Sequence, residues 1–346
     1  MTFPNSSNIN VASLNGIKHL GNFISDIQYN SGAIPSNKDG SHDPWDHLEA
    51  VMGLATLGFH HEALRGLEWM KENQNKDGSW FNLYQDNLAL ERNKQSNFST
   101  YMAVAVWHFY LLTNDASVLK YFWDSIERGL LFALSLQNKN GAIAWNVDEF
   151  GAIDEDYLLT GCSSIAKSIE CAIAICELSN KQDLQSKLTI ARSNLLHAIE
   201  NPEGIFDLKT DRSRFSMDWY YPILSGAKQE NNFENLINKI EDIFWIKGLG
   251  IKCVADEPWV TVAETSECSI AFKKLGQDQI AAELLLNAAA IVGENNVPFM
   301  GWQLEEQIYW PEEQPSWTSG ALILAADANN KLTPASDLFT SNQFKP

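Results

Sequence analysis

Apolar residues recur along the chain at the spacing of α-helices, and they do so in two different ways. In NNFENLINKIEDIFWI, residues 231–246, the apolar side chains fall on a single stripe. In HLEAVMGLATLGF, residues 47–59, they cover nearly the whole circumference. A helix with one apolar stripe lies at a surface, whereas a helix that is apolar all round is buried within a larger structure.

The two kinds of segment alternate six times. The amphipathic segments are residues 10–28, 61–74, 115–138, 182–200, 231–247 and 277–292. The apolar segments are residues 45–59, 99–113, 162–179, 217–227, 260–275 and 315–327. This internal repeat predicts an all-α fold, a single (α/α)6 toroid domain of residues 1–346 with six outer–inner helical hairpins. A helical solenoid that binds proteins is the alternative, but a solenoid would repeat more evenly.

Most outer segments run into a turn that contains glycine. We expect left-handed backbone just past these helix ends, which glycine adopts without steric cost. The predicted turn glycines are Gly78, Gly141, Gly204, Gly250 and Gly301.

Composition excludes several classes of partner. The formal charge is −19, with 25 basic and 44 acidic residues, which argues against nucleic acid and anionic membrane surfaces. No apolar run reaches the roughly 18 residues of a membrane span, and the N-terminus does not resemble a signal peptide. The five cysteines form no CxxC pair, so we expect reduced thiols in a cytoplasmic protein. No Cys/His spacing suggests zinc, and no cofactor is expected.

Trp and acidic residues gather where the inner helices begin. In a closed ring of hairpins, the loops that enter these helices meet at one end of a central funnel. Five of the twelve Trp fall in these short windows. They are Trp45, Trp219, Trp259, Trp310 and Trp317. An aromatic surplus of this kind can line a binding cleft.

Two acidic residues stand out among those at the helix starts. Asp46 and Glu264 each lie about one turn inside an otherwise apolar helix, where an unpaired charge costs several kcal/mol or shifts its pKa. Asp43, before Pro44, is explained by a helix cap, and the neighbouring Glu312 and Glu313 would also complement a helix dipole. Buried carboxylates that face a cleft are candidates for acid–base chemistry.

Paired carboxylates among aromatic side chains are the equipment of glycoside hydrolases. One carboxylic acid protonates the leaving oxygen, and the other activates water. We predict Asp46 and Glu264 as this pair and Asp218 as a third participant, with the acid and base roles open. The predicted substrate-binding residues are Trp45, His47, Tyr101, Arg214, Trp219, Tyr220, Glu257, Trp259, Trp310, Glu312, Glu313 and Trp317.

Two of these residues have equally good alternatives. His47, next to Asp46, is either a hydrogen-bonding partner in the site or a structural histidine. Arg214 belongs with Lys209 and Arg212 to a local basic patch just before Asp218. The patch either receives an anionic group of the substrate or is an exposed loop.

The stretch QNKDGSW, residues 74–80, resembles the QW motif of the terpenoid cyclase and protein prenyltransferase toroid superfamily. DPWDHLEAVMGL, LLTGCSSI and PSWTSGALILAADA are similar to bacterial proteins described as prenyltransferase-like. This resemblance covers nearly the whole chain and implies the toroid fold, which six-hairpin glycosidases also share in architecture. The cyclase motif DxDD is missing, as is a zinc set of Asp, Cys and His.

The sequence therefore favours a metal-independent glycoside hydrolase that acts on a small-molecule or oligosaccharide substrate. The second hypothesis is a terpenoid cyclase or prenyltransferase-like enzyme with an apolar substrate. The third is a toroid that binds a ligand or protein without catalysis. A sugar site would carry polar groups between its aromatic residues, whereas a terpene site would be deep, dry and aromatic. The sequence leaves the oligomeric state open.

Overall fold

The computed structural model describes residues 9–36, 39–230 and 232–344. It is mostly helical, and each of the twelve predicted segments contains a helix. The helices are α1 (Leu14–Ile27), α2 (Pro44–Thr56), α3 (His60–Glu72), α4 (Ser96–Thr100), α5 (Met102–Thr113), α6 (Ala116–Ser135), α7 (Leu159–Leu178), α8 (Gln182–Glu200), α9 (Met217–Leu224), α10 (Phe233–Glu241), α11 (Val262–Lys274), α12 (Asp278–Ala288) and α13 (Ser316–Asn330).

Two predicted helices have different bounds in the structure. The second inner segment begins earlier than predicted and is divided at Tyr101, which separates α4 from α5. The predicted outer helix 231–247 ends at Glu241, because the chain turns at Gly248 and pairs Trp245–Ile246 with Gly250–Ile251. Residue 231 itself lies outside the described ranges.

Short strands surround the starts of the inner helices. The periodicity did not predict them because each has only two to four residues. They are β1 (Ser41–His42), β2 (Leu83–Gln85), β3 (Leu88–Glu91), β4 (Lys94–Gln95), β5 (Asn146–Val147), β6 (Ile153–Asp154), β7 (Trp245–Ile246), β8 (Gly250–Ile251), β9 (Trp259–Thr261), β10 (Gly301–Gln303) and β11 (Ile308–Tyr309). The sheets β1-β2-β3, β4-β5-β6 and β11-β10-β9 join the loops that enter neighbouring inner helices.

The inner helices pack in a closed sequence. Helix α2 contacts α5, α5 contacts α7, α7 contacts α9, α9 contacts α11, α11 contacts α13, and α13 returns to α2. The contact of α13 with α2 is close because Gly320 and Gly53 face each other. A Cβ on Gly320 would lie 2.6 Å from the backbone oxygen of Glu49. Outer helices α3, α6, α8 and α12 pack against α2, α5, α7 and α11, respectively.

The C-terminal segment, residues 332–344, lies across the end of the ring opposite the inner-helix starts. Lys274 of α11 donates to the backbone oxygen of Phe339 over 2.7 Å. The backbone N–H of Gln343 donates to Glu170 of α7 over 3.0 Å, and its side chain accepts from Trp107 of α5 over 2.9 Å. Glu170 is buried and also forms an ion pair with Lys167. The segment is therefore bonded to three inner helices, α5, α7 and α11, at this end of the ring.

The sequence predicts no membrane span, but helix α7 is long and apolar enough to be one by length and composition. In the most apolar 18-residue stretch of α7, 83% is buried inside the fold, which is typical of a core helix. The five cysteines are present as free thiols.

A Gln–Gly staple recurs between successive outer helices, and we define it by Gln74 and Gly78. The Gln74 side-chain amide donates to the backbone oxygens of Gly78 (2.9 Å) and of Ser125 in α6 (2.8 Å). Gln137 with Gly141 and Gln28 with Gly32 make the same two bonds to α8 and α3. The QW motif is therefore one copy of a structural repeat.

The turn glycines are confirmed at three of the five predicted positions. Gly78, Gly141 and Gly204 have φ between +72° and +93°. Gly250 also has a positive φ, +138°, but it lies in β8, and the turn before it falls at Gly248. The prediction for Gly301 is wrong, because this residue lies in β10 and pairs with Thr261.

Replacing Gly78 by Ala tests the staple. Gly78 has φ of +93°, and a Cβ there would lie 2.2 Å from the backbone oxygen of Arg128. Gly58 is the matched control, because its φ is +83° but a Cβ would meet nothing within 4 Å. We expect Gly58→Ala to cost about 1 kcal/mol of unfolding free energy, from backbone strain alone. Gly78→Ala should cost about 2 kcal/mol more, because α6 must shift. Chemical denaturation measures both, and equal losses would contradict the staple.

Candidate active site

A cavity of about 250 Å³ opens where the inner helices begin, and each of the six inner segments contributes to its wall. The helix starts converge here because all six inner helices point the same way around the ring. The lining residues are Asp43, Trp45, Asp46, Glu49, Asn97, Phe98, Thr160, Gly161, Met217, Glu264, Glu267 and Trp317.

Five of the lining residues are acidic, and they come from two helices. Asp43, Asp46 and Glu49 follow one another at intervals of three residues at the start of α2. Glu264 and Glu267 have the same spacing at the start of α11. Residues three apart lie on one face of a helix, so both helices direct their acidic face into the cavity. Helix α13 lies between α2 and α11 in the ring.

Three of these carboxyl groups are held by hydrogen bonds. Asp43 caps α2 and accepts from the backbone N–H of Asp46 over 2.8 Å, as predicted from the sequence. Glu49 Oε1 accepts from the indole of Trp45 over 3.0 Å and from the hydroxyl of Tyr101 over 3.4 Å. Glu267 Oε2 accepts from the hydroxyl of Tyr220.

Asp46 and Glu264 are held much less firmly. Glu264 is 8% exposed, and its Oε2 has no hydrogen-bond partner among the described residues. The thiol of Cys253 lies against the Glu264 carboxyl group, and the hydroxyl of Ser36 lies against Asp46. These two carboxyl groups are therefore the ones most available to a ligand.

The acidic cluster cannot be fully ionised at neutral pH. Burial, followed by the charges of Asp43 and Glu49, raises the pKa of Asp46 well above its ordinary value. Burial raises the pKa of Asp43 to about 6 and that of Glu49 to about 8. Burial and the charge of Glu49 raise the pKa of Glu267. No Lys or Arg is among the described residues that line the cavity, so the cluster retains protons.

Aromatic side chains fix the cavity wall and its floor. The rings of Trp45 and Tyr101 stack with centroids 4.2 Å apart and an interplanar angle of 3°. The ring of Tyr221 lies 5.6 Å from that of Trp45. Tyr101, Tyr220 and Tyr221 are fully buried below the acidic residues. Trp45 is therefore held on one face by stacking and at its N–H by Glu49.

The cavity brings together only part of the predicted site. Asp46, Glu264, Trp45 and Trp317 line it directly. Tyr101 and Tyr220 reach it through their hydrogen bonds to the acidic side chains.

His47 is structural, which corrects its prediction as a substrate-binding residue. It is fully buried, and its Nδ1 accepts from the backbone N–H of Ile34 over 3.1 Å. Its Nε2 therefore carries the proton and donates to the backbone oxygen of Gly66 over 3.0 Å. Burial lowers the pKa of His47 to about 4. His47 follows Asp46 directly and therefore lies on a different face of α2, because consecutive helical residues do not share a face.

Asp218 and Trp219 lie outside the central cavity. They line a separate cavity of about 340 Å³ beside α10, together with Lys239 and Phe244. Helix α9 begins only at Met217, and Met217 is the residue that it directs into the central cavity.

The remaining predicted residues also lie outside it. Arg214 forms a two-pronged ion pair with Asp256, and Glu257 is exposed nearby. Trp259 donates from its indole to the backbone oxygen of Trp310 over 2.6 Å, in the sheet β11-β10-β9. Glu312 and Glu313 line another cavity, of about 620 Å³. These positions lie in the long loops before α9, α11 and α13, whose paths a helical pattern does not predict.

Sequence reasoning did not assign Glu49 and Glu267 to the site. A signal was present, since each follows a predicted catalytic residue by three positions and so shares its helix face.

No family model matches the chain. The chain is 36% identical over 317 residues to the MMP endo-(1,4)-3-O-methyl-α-D-mannosidase of Mycolicibacterium hassiacum, and the match covers 91% of this chain and 86% of that protein.

Similar solved structures share the fold. A wild-type glycosidase has a TM-score of 0.72 at 12% identity and covers 93% of this chain and 98% of its own. The GH63 mannosylglycerate hydrolase of Thermus thermophilus, in complex with glucose, has a TM-score of 0.69 at 11% identity. The match covers 89% of this chain and 99% of that one. A D-mannose isomerase has a TM-score of 0.66 at 10% identity, and the match covers 90% of this chain and 96% of that one.

The protein is therefore a carbohydrate-active hydrolase with a sugar or oligosaccharide substrate. The chain belongs to the family of the Mycolicibacterium endo-mannosidase, a family of glycoside hydrolases. The resemblance to prenyltransferase-like proteins extends to the arrangement of helices and gains no further support from these relatives.

Replacing Glu49 by Gln tests the electrostatics of the cavity. The pKa of Glu49 is about 8 in the fold against an ordinary value of 4.5, so between these pH values only the folded state keeps the proton. The free energy of unfolding therefore falls as the pH rises through this window. Gln has no proton to lose, so the melting temperature of Glu49→Gln relative to wild type should increase from pH 5 to pH 8. Glu283→Gln, on exposed α12, should show no such trend; a flat difference for Glu49→Gln would contradict the burial of this charge.

Proposed function

We propose that the described residues form a single (α/α)6 toroid domain. The closed sequence of contacts among inner helices, from α2 around to α13 and back, supports this architecture. The outer helices that pack against α2, α5, α7 and α11 supply the second ring. Its mouth is the end with the acidic cavity, and the C-terminal segment closes the other end.

We further propose that Asp46 and Glu264 are the catalytic pair of this glycoside hydrolase. The observation that carries the proposal is that, of five acidic residues in one cavity, these two are the least restrained by hydrogen bonds. One of them protonates the glycosidic oxygen as the bond to the anomeric carbon breaks, and the other takes a proton from the attacking water. Proton transfer by positioned carboxyl groups contributes about 10²–10⁴-fold to such reactions.

The reaction should invert the configuration at the anomeric carbon. Helices α2 and α11 are not neighbours in the ring, because α13 lies between them. We propose that this arrangement separates the carboxyl groups of Asp46 and Glu264 by the roughly 6.5–9.5 Å of inverting enzymes, with a water molecule between one of them and the sugar. Proton NMR of the first product formed would show the opposite anomer to that of the substrate.

The proposed substrate is a (1,4)-linked α-mannan that carries methyl groups, cleaved at internal bonds. The relative's name describes this specificity, and the identity of 36% extends over 91% of the chain. The polar side chains Asn97 and Thr160 line the cavity together with the aromatic residues Trp45, Phe98 and Trp317, which suits a ring with hydroxyl and apolar edges. An acidic wall does not suit the apolar substrate of a terpenoid cyclase.

Isosteric amides test the catalytic pair. Asp46→Asn and Glu264→Gln should fold normally but lose about 10²–10⁴-fold in kcat, because an amide neither gives nor takes the required proton. Hydrolysis of an α-(1,4)-mannan measures the loss, and Glu283→Gln serves as the matched control. Full activity in both cavity variants would remove the pair. The variant whose activity recovers on a substrate with a good leaving group would identify the general acid. The variant whose activity is restored by added azide would identify the general base.

Chain-length analysis of the products tests the substrate. An endo-acting enzyme should lower the mean length of the polymer quickly, before monosaccharide accumulates. A 3-O-methylated mannan should be cleaved with a higher kcat/KM than its unmethylated counterpart, by about fourfold for each methyl group buried. Release of monosaccharide alone, or equal rates on both polymers, would contradict this specificity.

A further inference from the structure

A second pair of acidic residues lies one helical turn below the proposed catalytic pair. Glu49 follows Asp46 on α2, and Glu267 follows Glu264 on α11. The inner helices begin at the mouth, so residues later in these helices lie deeper in the cavity. Both residues line the same cavity as the proposed catalytic pair, and the charge of Glu49 contributes, after burial, to the raised pKa of Glu267. We call Glu49 and Glu267 the lower pair.

Each member of the lower pair is held through one oxygen only. Glu49 Oε1 accepts from Trp45 and Tyr101, and Glu267 Oε2 accepts from Tyr220. The described residues donate no hydrogen bond to Glu49 Oε2 or to Glu267 Oε1. Both residues line the cavity. One oxygen of each carboxyl group is thus anchored to an aromatic donor, and the other remains for a ligand.

The surroundings of the lower pair favour neutral carboxyl groups. Five acidic residues line the cavity, and no basic residue accompanies them among the described lining residues. Glu49 is 4% exposed, and Glu267 is half-buried. An unpaired charge in such a site is disfavoured, so the carboxyl groups keep their protons. A neutral carboxyl group can donate one hydrogen bond and accept another.

We propose that Glu49 and Glu267 form the hydroxyl-binding floor of the subsite for the buried sugar ring, where each donates to one sugar hydroxyl and accepts from another. They are specificity residues and take no part in bond cleavage. This inference rests on the proposed function of the cavity, which it extends by naming the ligand's chemistry.

The floor selects for neutral rings with free hydroxyl groups. A hydroxyl both donates and accepts, which matches the lower pair. A carboxylate or phosphate on the ring would lie against acidic side chains without a cation to balance it. A methyl ether cannot donate, so methyl groups on the buried ring must point away from Glu49 and Glu267.

Amide and alanine variants separate binding from chemistry. In Glu49→Gln and Glu267→Gln the amide oxygen keeps the aromatic donor and the NH₂ group still donates, so KM should rise by less than about tenfold. Glu49→Ala and Glu267→Ala lose both bonds to the sugar, so KM should rise by more than about tenfold while kcat changes less. Glu283→Gln again serves as the control for the substitutions.

The pH profile supplies a readout that a structural role would not change. Ionisation of Glu49 at high pH removes its donor, so KM of the wild type should rise above about pH 8. Glu49→Gln should reduce that rise, and Glu49→Gln combined with Glu267→Gln should abolish it. The inference is overturned if the amide variants lose kcat as severely as Asp46→Asn at unchanged KM, since the lower pair would then act in the chemistry. It is equally overturned if the rise in KM persists in the variant that carries both Glu49→Gln and Glu267→Gln. The amide variants retain their aromatic contacts, so the test holds even if the alanine variants unfold.

Calorimetry with free D-mannose, D-glucose and D-galactose separates this inference from the proposed substrate. If the wild type does not cleave the mannan, the proposed substrate fails, and the lower pair is tested on the hexose that binds most tightly. Weaker binding of that hexose by at least about tenfold in both alanine variants supports the floor. Unchanged binding in both variants overturns it.

Discussion

The contact between the first and last inner helices determines the geometry of the site. Helix α2 carries three of the five acidic residues, and α13 packs on it at Gly53 and Gly320, with backbone against backbone. Any side chain on Gly320 would meet the main chain of Glu49 and push α2 outward. Because α11 packs on the other side of α13, the distance between the two acidic helices depends on this same contact. The closure of the ring therefore sets the position of Asp46 relative to Glu264.

The site concentrates acidic side chains in a cavity where water cannot fully solvate them. Such a cluster opposes folding, and the aromatic residues around it offset part of that cost. Trp45, Tyr101 and Tyr220 direct an N–H or O–H to a carboxyl oxygen and also bury large apolar surfaces. The same side chains thus stabilise the fold and hold the lower pair in place. A site that stores protons in this way can hold a neutral ring firmly without any charged contact to it.

Regular periodicity predicted the helices, and the loops limited the prediction of the site. An apolar stripe or an apolar circumference follows directly from where a helix lies, so all twelve segments could be found. Asp46 and Glu264 were identified because a charge inside an apolar helix is unusual. Trp259, Trp310 and Arg214 were misplaced because they precede their helices, in loops and short strands whose direction depends on pairing across the mouth. His47 was misplaced because adjacency in sequence was taken for adjacency in space. Glu49 and Glu267 could have been found by following the two acidic helix faces one turn further.

The segment across the far end of the ring determines how a polymer can enter. Phe339 and Gln343 are bonded to inner helices there, so the proposed toroid is open to a ligand chiefly at its mouth. Under the proposed endo-cleavage, a glycan would approach and leave by the mouth, with both of its arms on the same side of the protein. The glycan would therefore bend at the bond to be broken, with that bond in the cavity and both flanking segments outside it. Flexible, helically coiled glycans can make such a bend far more easily than stiff, extended ones.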